Sequence, residues 1–232
     1  MSGPVTTKAQ QLVFDLPHRS ALGLEDFMVS ASNQAAVRVI DSWPNWPHPS
    51  MVLVGPEGSG KTHLANVWRL AAAAETVPAA DLTEGKTLTE AHTIVVEDAD
   101  RGIGSERALF HLMNLAREHG GNLLITGRTP PGEWKIDLPD LRSRLRACPA
   151  IPLGEPDESL LGLVLVKLLH DRQLPATPAA VAYLSRHLDR SMAAAIAVVG
   201  AIDKLLWDKP SEITRDVARR ALAAIGKADD GE

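Results

Sequence analysis

Eight consecutive residues, Gly55, Pro56, Glu57, Gly58, Ser59, Gly60, Lys61 and Thr62, spell G-x-x-x-x-G-K-T. Glycines at this spacing let the backbone turn tightly, so that successive N–H groups converge on phosphate oxygens. Lys61 brings a compact positive charge to the β- and γ-phosphates, and the Thr62 hydroxyl is placed to ligate Mg2+. Out of context the same residues would make a glycine-rich turn. Here residues 51–54 read as a short buried strand and residues 63–74 as a helix. That strand–loop–helix setting is the one the motif requires, and the helix N-terminus adds a positive dipole end to the cradle.

A second set of chemistry-bearing residues closes the β-branched run 93–96, which ends in Glu97 and Asp98. Beside a phosphate loop, one acid at a strand end holds magnesium and a second orients attacking water. Glu97 is assigned the first role and Asp98 the second. Further along, Arg142, Arg144 and Arg146 alternate within a short basic helix spanning 138–147. Residues two apart point to different sides of a helix, so at most one or two serve the same site. On the residues alone this is a solvated basic face. Arg190 falls at the start of another predicted helix, where the dipole disfavours a cation. It calls for a phosphate, or for a carboxylate such as Asp189 or Asp171.

The elements that must hold these groups follow from the apolar pattern. Strands at 51–54, 93–96, 122–126 and 150–153 alternate with helices at 33–43, 63–74, 105–119 and 138–147, with a stub of strand at 76–77. Buried apolar strands between helices imply an α/β fold with a parallel sheet in a three-layer sandwich. After Gly154 the pattern turns wholly helical, with helices at 158–172, 178–188, 191–207 and 214–225 and no strand-like run. The predicted organisation is a flexible N-terminal tail over 1–23 with a short apolar island at 11–17, a nucleotide-binding domain over 24–154 and a small helical lid domain over 155–228.

Composition narrows the function classes. The chain has 232 residues, 45% of them apolar, enough for a sizeable core. Its net charge of −5 disfavours gripping duplex DNA by bulk electrostatics. A single cysteine, Cys148, excludes an intrachain disulfide and suits a reducing compartment. No apolar run reaches membrane-span length, and the N-terminus lacks a signal-peptide pattern. The eight histidines are scattered, without the spacing of a zinc site. A cytoplasmic protein with no membrane partner is expected.

Five motifs in order resemble the AAA+ ATPases, and within them the DnaA/Hda family of replication initiators and their regulators. The entry segment Phe27-Met28-Val29-Ser30-Ala31-Ser32-Asn33-Gln34, the phosphate loop continuing as Lys61-Thr62-His63-Leu64, the strand ending Glu97-Asp98, the strand ending in Thr126 with its Thr129-Pro130-Pro131 exit, and Leu141-Arg142-Ser143-Arg144-Leu145 carry the likeness. Leu188-Asp189-Arg190 extends it. The resemblance implies that Phe27, Met28, Val29 and Asn33 line an adenine pocket and that His63 belongs to the loop's nucleotide contacts. It also implies a sensor role for Thr126, an arginine finger at Arg144 and a second sensor at Arg190. ADP or ATP with Mg2+ would be the ligand.

Departures from the initiators shape the expectation. The resemblance runs to about the end of the lid, so the initiators' DNA-binding module is not expected. About 17 residues lie between Glu75 and Thr93, too few for the initiators' single-strand-contacting insertion. Direct sequence-specific DNA binding is therefore not expected. Glu97 stands for the usual aspartate and Arg128 for an acidic sensor, which predicts weak intrinsic hydrolysis. Gln11, Leu12, Phe14 and Leu16 are similar to a peptide that binds the DNA polymerase sliding clamp (beta subunit). Together these features resemble the Hda-type regulators, which bind the clamp and stimulate ATP hydrolysis by a DnaA-type initiator; a homo-oligomer is compatible with the fold. A helicase loader or other AAA+ adaptor, and a small-molecule kinase, are the alternatives. The kinase has no use for an arginine acting outside its own site.

Overall fold

The protein is described by a computed structural model covering residues 28–84, 93–207 and 211–229. Phe27 and the clamp-peptide residues Gln11, Leu12, Phe14 and Leu16 lie outside the described residues.

Five parallel strands form one sheet: β1 (Ser50–Val54), β2 (Glu75–Pro78), β3 (Thr93–Glu97), β4 (Asn122–Gly127) and β5 (Ala150–Pro152), in the order β2-β3-β4-β1-β5. Side chains along a strand alternate between faces, so an uninterrupted apolar run feeds two cores. Val52, Ile94, Val96, Leu123 and Ile125 point to one core. Met51, Leu53, Val95 and Leu124 point to the other. Helices α1 (Gln34–Asp41) and α2 (Lys61–Ala72) cover the second face through Val37, Ile40, Leu64 and Trp68. Helices α3 (Glu106–Glu118) and α4 (Pro139–Ala147) cover the first through Leu109, Leu112, Leu141 and Leu145. The expected three-layer α/β arrangement is what these two cores make.

Helices α5 (Glu158–Asp171), α6 (Pro178–His187), α7 (Met192–Leu206) and α8 (Arg215–Asp229) pack around a third core of Leu161, Leu165, Leu184, Val198, Ile202 and Ala218. Their starts are set by side-chain caps. Asp157, Thr177 and Ser191 each accept a backbone N–H three residues on. Among the described residues the lid elements are all helices, and an isolated parallel bridge between Ala176 and Ile213 joins two connecting loops. One sequence expectation changes here. Arg190 is not at a helix start: Ser191 is the cap and Met192 the first helical residue, which leaves Arg190 outside the helix and exposed. No helix among the described residues is long and apolar enough to cross a membrane.

Leu124 sits at the centre of the middle strand and is fully buried. Leu124→Ala should lower unfolding free energy by about 2–5 kcal/mol, the range for an aliphatic cavity that cannot collapse. Chemical denaturation measures it, and a change below about 1 kcal/mol would mean the sheet centre is not packed this way.

Candidate functional site

The carboxyl ends of β1, β3 and β4 lie side by side, and all the polar groups singled out above at those ends meet there. Beyond β1 the loop doubles back to α2, with Gly58 at φ +75° and Gly60 at φ +97°. Two glycines are required for different reasons. A side chain at Gly55 would come within 2.1 Å of the Leu153 carbonyl oxygen, so the backbone there is pinned against the end of β5. At Gly58 a Cβ would lie 2.5 Å from the Ser191 Cβ, so the loop and the lid touch. The Met192 N–H donates to the Gly58 carbonyl at 3.0 Å, a direct bond from the start of α7 to the loop.

Lys61 is buried. Its Nζ donates to the carbonyls of Gly55 and Pro56, both at 2.8 Å, which folds the ammonium back across its own loop. Burial pulls its pKa below the ordinary lysine value, opposed by the negative charges of Asp98, Asp100 and Glu57. The Ser59 hydroxyl is buried without a partner among the described residues. A buried cation satisfied only by carbonyls, beside loop N–H groups and an orphan hydroxyl, fits a phosphate.

Glu97 ends β3 and bonds the Thr62 side chain. Burial raises its pKa, and the Thr62 bond works the other way. Thr62 and Glu97 are therefore adjacent, as a shared divalent ion would need. Among the described residues no group of three or more His, Cys, Asp or Glu could hold a metal by itself. Magnesium here would need nucleotide oxygens to complete its shell, its usual habit. Asp98 follows in a left-handed conformation, φ 56°. The Thr126 hydroxyl on β4 accepts the Asp98 N–H at 3.0 Å and fixes that turn, so Thr126 is a buried positioning group for the acid.

A cleft of about 790 Å3 opens between this edge of the sheet and the lid. Its polar end carries Glu57, Gly58, Gly60, Lys61, Thr62, His63 and Asp98, with Arg101 and Arg128. Met28 and, from the lid, Leu160, Val164, Lys167, Leu168, Met192 and Ile196 line the rest. A polar floor and an apolar slot suit a phosphorylated ligand with a flat ring. Val29 packs on the core beneath, and buried Asn33 bonds the Met28 carbonyl and the Ser30 N–H at 2.9 Å each. Asn33 thus holds the entry segment rather than lining the cleft. The same segment is tied to the lid, because Asp157 caps α5 and also accepts the Ser32 N–H at 3.2 Å.

Two of the named arginines stand apart from the cleft lining. Arg190 is exposed and outside it. Arg144 is half-buried on α4 with its guanidinium 4.7 Å from the Phe110 ring centroid, while Arg142 and Arg146 are exposed. Sequence reasoning missed the lid's apolar contributors and the Arg128–Asp100 pair, at 2.7 Å. Apolar spacing on α5 and α7 signals a helix face, but not that one edge of it faces a ligand.

No protein-family model matches the chain. Domain III of the Thermotoga maritima replication initiation protein DnaA superposes with a TM-score of 0.73 at 17% identity, over 90% of this chain and 98% of that one. AMPPCP-bound DnaA from Aquifex aeolicus gives 0.66 at 18% identity, over 90% and 71%. The Thermotoga maritima RuvB Holliday junction branch migration motor gives 0.62 at 16% identity, over 76% and 61%. The chain has the AAA+ ATPase fold that these proteins share. In this chain the phosphate-loop motif lines the cleft between the sheet edge and the lid.

Because burial lifts Glu97, the folded state holds its proton to higher pH than the unfolded chain does. The stability linked to that proton is present below the unfolded pKa and is lost as pH rises through the folded one. Glu97→Gln keeps the acceptor for Thr62 and removes the buried charge. The ligand-free variant should melt above the parent at pH 8, with the gap closing toward pH 4; a variant less stable than the parent at pH 8 would contradict this.

Proposed function

We propose that the chain is a cytoplasmic regulator of replication initiation. In this reading it binds an adenine nucleotide with Mg2+, docks on the DNA polymerase sliding clamp and stimulates ATP hydrolysis by a DnaA-type initiator. The observation that carries the nucleotide part is buried Lys61 in a complete phosphate loop at the mouth of a cleft with an apolar slot. Lys61, the loop N–H groups and Thr62 would hold the phosphates, Thr62 with Glu97 would hold the ion, and Met28 with the lid residues would hold the ring. Bound nucleotide would brace sheet and lid together, since both line the cleft.

The regulatory part is supported by the likeness to DnaA and by the motif order, and it concerns other residues. Arg144 lies outside this chain's own cleft, half-buried with its guanidinium over the Phe110 ring. A guanidinium held at a domain edge is suited to reach a neighbour's triphosphate. There it would neutralise charge that develops on the transferred phosphoryl group. Gln11, Leu12, Phe14 and Leu16 would supply the clamp contact, a Gln amide at the rim of an apolar groove.

The test is phosphate release from the initiator's ATP with clamp on DNA present. Arg144→Ala should leave this chain folded and nucleotide-bound and cut the stimulation by about a thousandfold or more, the scale of a finger supplied in trans. Gln11→Ala with Leu12→Ala should abolish capture by purified clamp without moving the melting temperature. Undiminished stimulation by the Arg144→Ala chain, or an equal loss with Arg146→Ala alone, would sink the finger assignment. A helicase loader would show neither clamp capture nor stimulation.

A further inference from the structure

The helix that carries Arg144 has no side-chain cap of its own. Leu138, at the head of α4, has no capping side chain, and Pro139 after it has no N–H. The cap comes from another element. Glu106, the first residue of α3, accepts the Asp137 N–H on Oε1 at 2.9 Å and the Leu138 N–H on Oε2 at 2.6 Å. One carboxylate thus grips two successive amides, one oxygen to each. A negative charge at a helix N-terminus is favoured by the dipole, and its bonds to N–H groups are of the stronger, charge-assisted kind. The grip is itself anchored. The Ser105 hydroxyl caps α3, and Leu109, Leu112 and Met113 root that helix in the core.

One turn further along α3 the same face meets α4 again. Residues four apart share a helix face, and Phe110 follows Glu106 at that spacing. Its ring centroid lies 4.7 Å from the Arg144 guanidinium carbon. Leu141 and Leu145 flank Arg144 in the sequence and are fully buried in the core, which fixes the rotation of α4 about its axis. Helix α4 is therefore held at its start by Glu106, along its length by two leucines, and at Arg144 by Phe110. The kind of contact at Arg144 matters. A carboxylate partner would occupy N–H donors and offset the charge. A ring attracts the cation through its face and takes no donor. Arg144 has no ion-pair partner among the described residues. Its five donors thus stay available in a fork suited to phosphate oxygens.

We propose that Glu106 and Phe110 are the positioning residues of Arg144. Glu106 sets where α4 begins and how it is aimed, and Phe110 presents the guanidinium with its charge and donors unspent. Neither touches the reacting phosphate, and each acts through Arg144. This rests on the reading of Arg144 as a finger for a neighbour's triphosphate. A group that must meet a transferring phosphoryl loses about a hundredfold in rate for a misplacement of about 1 Å, so small shifts of α4 count.

The experiment follows phosphate release from a DnaA-type initiator's ATP, with clamp on DNA, as the concentration of the full chain is raised. Phe110→Leu should lower the rate at saturation by about threefold or more, the scale of a cation–π contact, and leave the half-saturating concentration within about twofold. Phe110→Tyr keeps a ring and should restore the parent rate. Glu106→Gln keeps one acceptor of the two and should lower the saturating rate by about tenfold, again at unchanged half-saturation. If that variant does not fold, the two Phe110 variants carry the test. In an Arg144→Ala background neither Phe110→Leu nor Glu106→Gln should cause a further loss, since nothing is left to position. Equal losses for Phe110→Leu and Phe110→Tyr, no loss for either Phe110→Leu or Glu106→Gln, a change confined to half-saturation, or a further loss in the Arg144→Ala background would overturn the proposal and leave the finger reading intact. Full stimulation by the Arg144→Ala chain would overturn both.

Discussion

Everything in the site depends on the pairing of β4 between β1 and β3. In a parallel sheet the strands share one direction, so their carboxyl ends collect at one edge. With β4 between them, the loop after β1 and the acids after β3 stand about two strand spacings, roughly 10 Å, apart. The end of β4 fills the gap with Thr126, Gly127 and Arg128. Thr126 accepts the Asp98 N–H, and the Gly127 carbonyl accepts the Gly55 N–H. The middle strand thus bonds the first turn of both functional loops. Disturbing it would move the cation cradle and the acid pair relative to each other.

The electrostatics of the cleft show the same division of labour. Lys61 is buried and pulled below the ordinary lysine range, with nearby acids opposing the shift. Burial pushes Asp100 up, but the bonds and charge of Arg128 win and hold it below the ordinary range. Burial raises Glu97, against the bond from Thr62. Carbonyls and acids thus surround the one cation, an arginine holds one acid ionised, and the other acid is bonded by Thr62. A divalent ion held by Thr62 and Glu97 would offset the cost of burying that carboxylate. The lid contributes Lys167 and apolar side chains to the cleft lining and contacts the loop directly through Met192 and Gly58.

Much of the fold was legible in the residues, for identifiable reasons. Strands β1, β3 and β4 are apolar runs bounded by Pro49, Glu97 and Gly121, and α3, α5 and α6 begin at Ser105, Asp157 and Thr177, whose side chains cap them. β2 was seen only as a stub at 76–77 because it is a sheet edge on which Val77 alone is buried. The phosphate loop and the acids were legible because their spacing is fixed by local geometry. The Asp100–Arg128 pair was not, since its members are 28 residues apart and meet only through the β3–β4 pairing. Nor was the position of Arg190, because Ser191 takes the capping role and shortens the helix by one residue.

The central claim is that the loop around Lys61 binds nucleotide phosphate, and titration of the chain with Mg2+ and ADP, parent beside Lys61→Ala, addresses it most directly. The account predicts saturable binding of one ADP by the parent and at least a hundredfold loss in the variant, about 3 kcal/mol for a buried charge-assisted contact. The melting temperature of the parent should rise with ADP, and that of the variant should not. If Lys61→Ala binds ADP as tightly as the parent, the loop is not the phosphate site and the account fails.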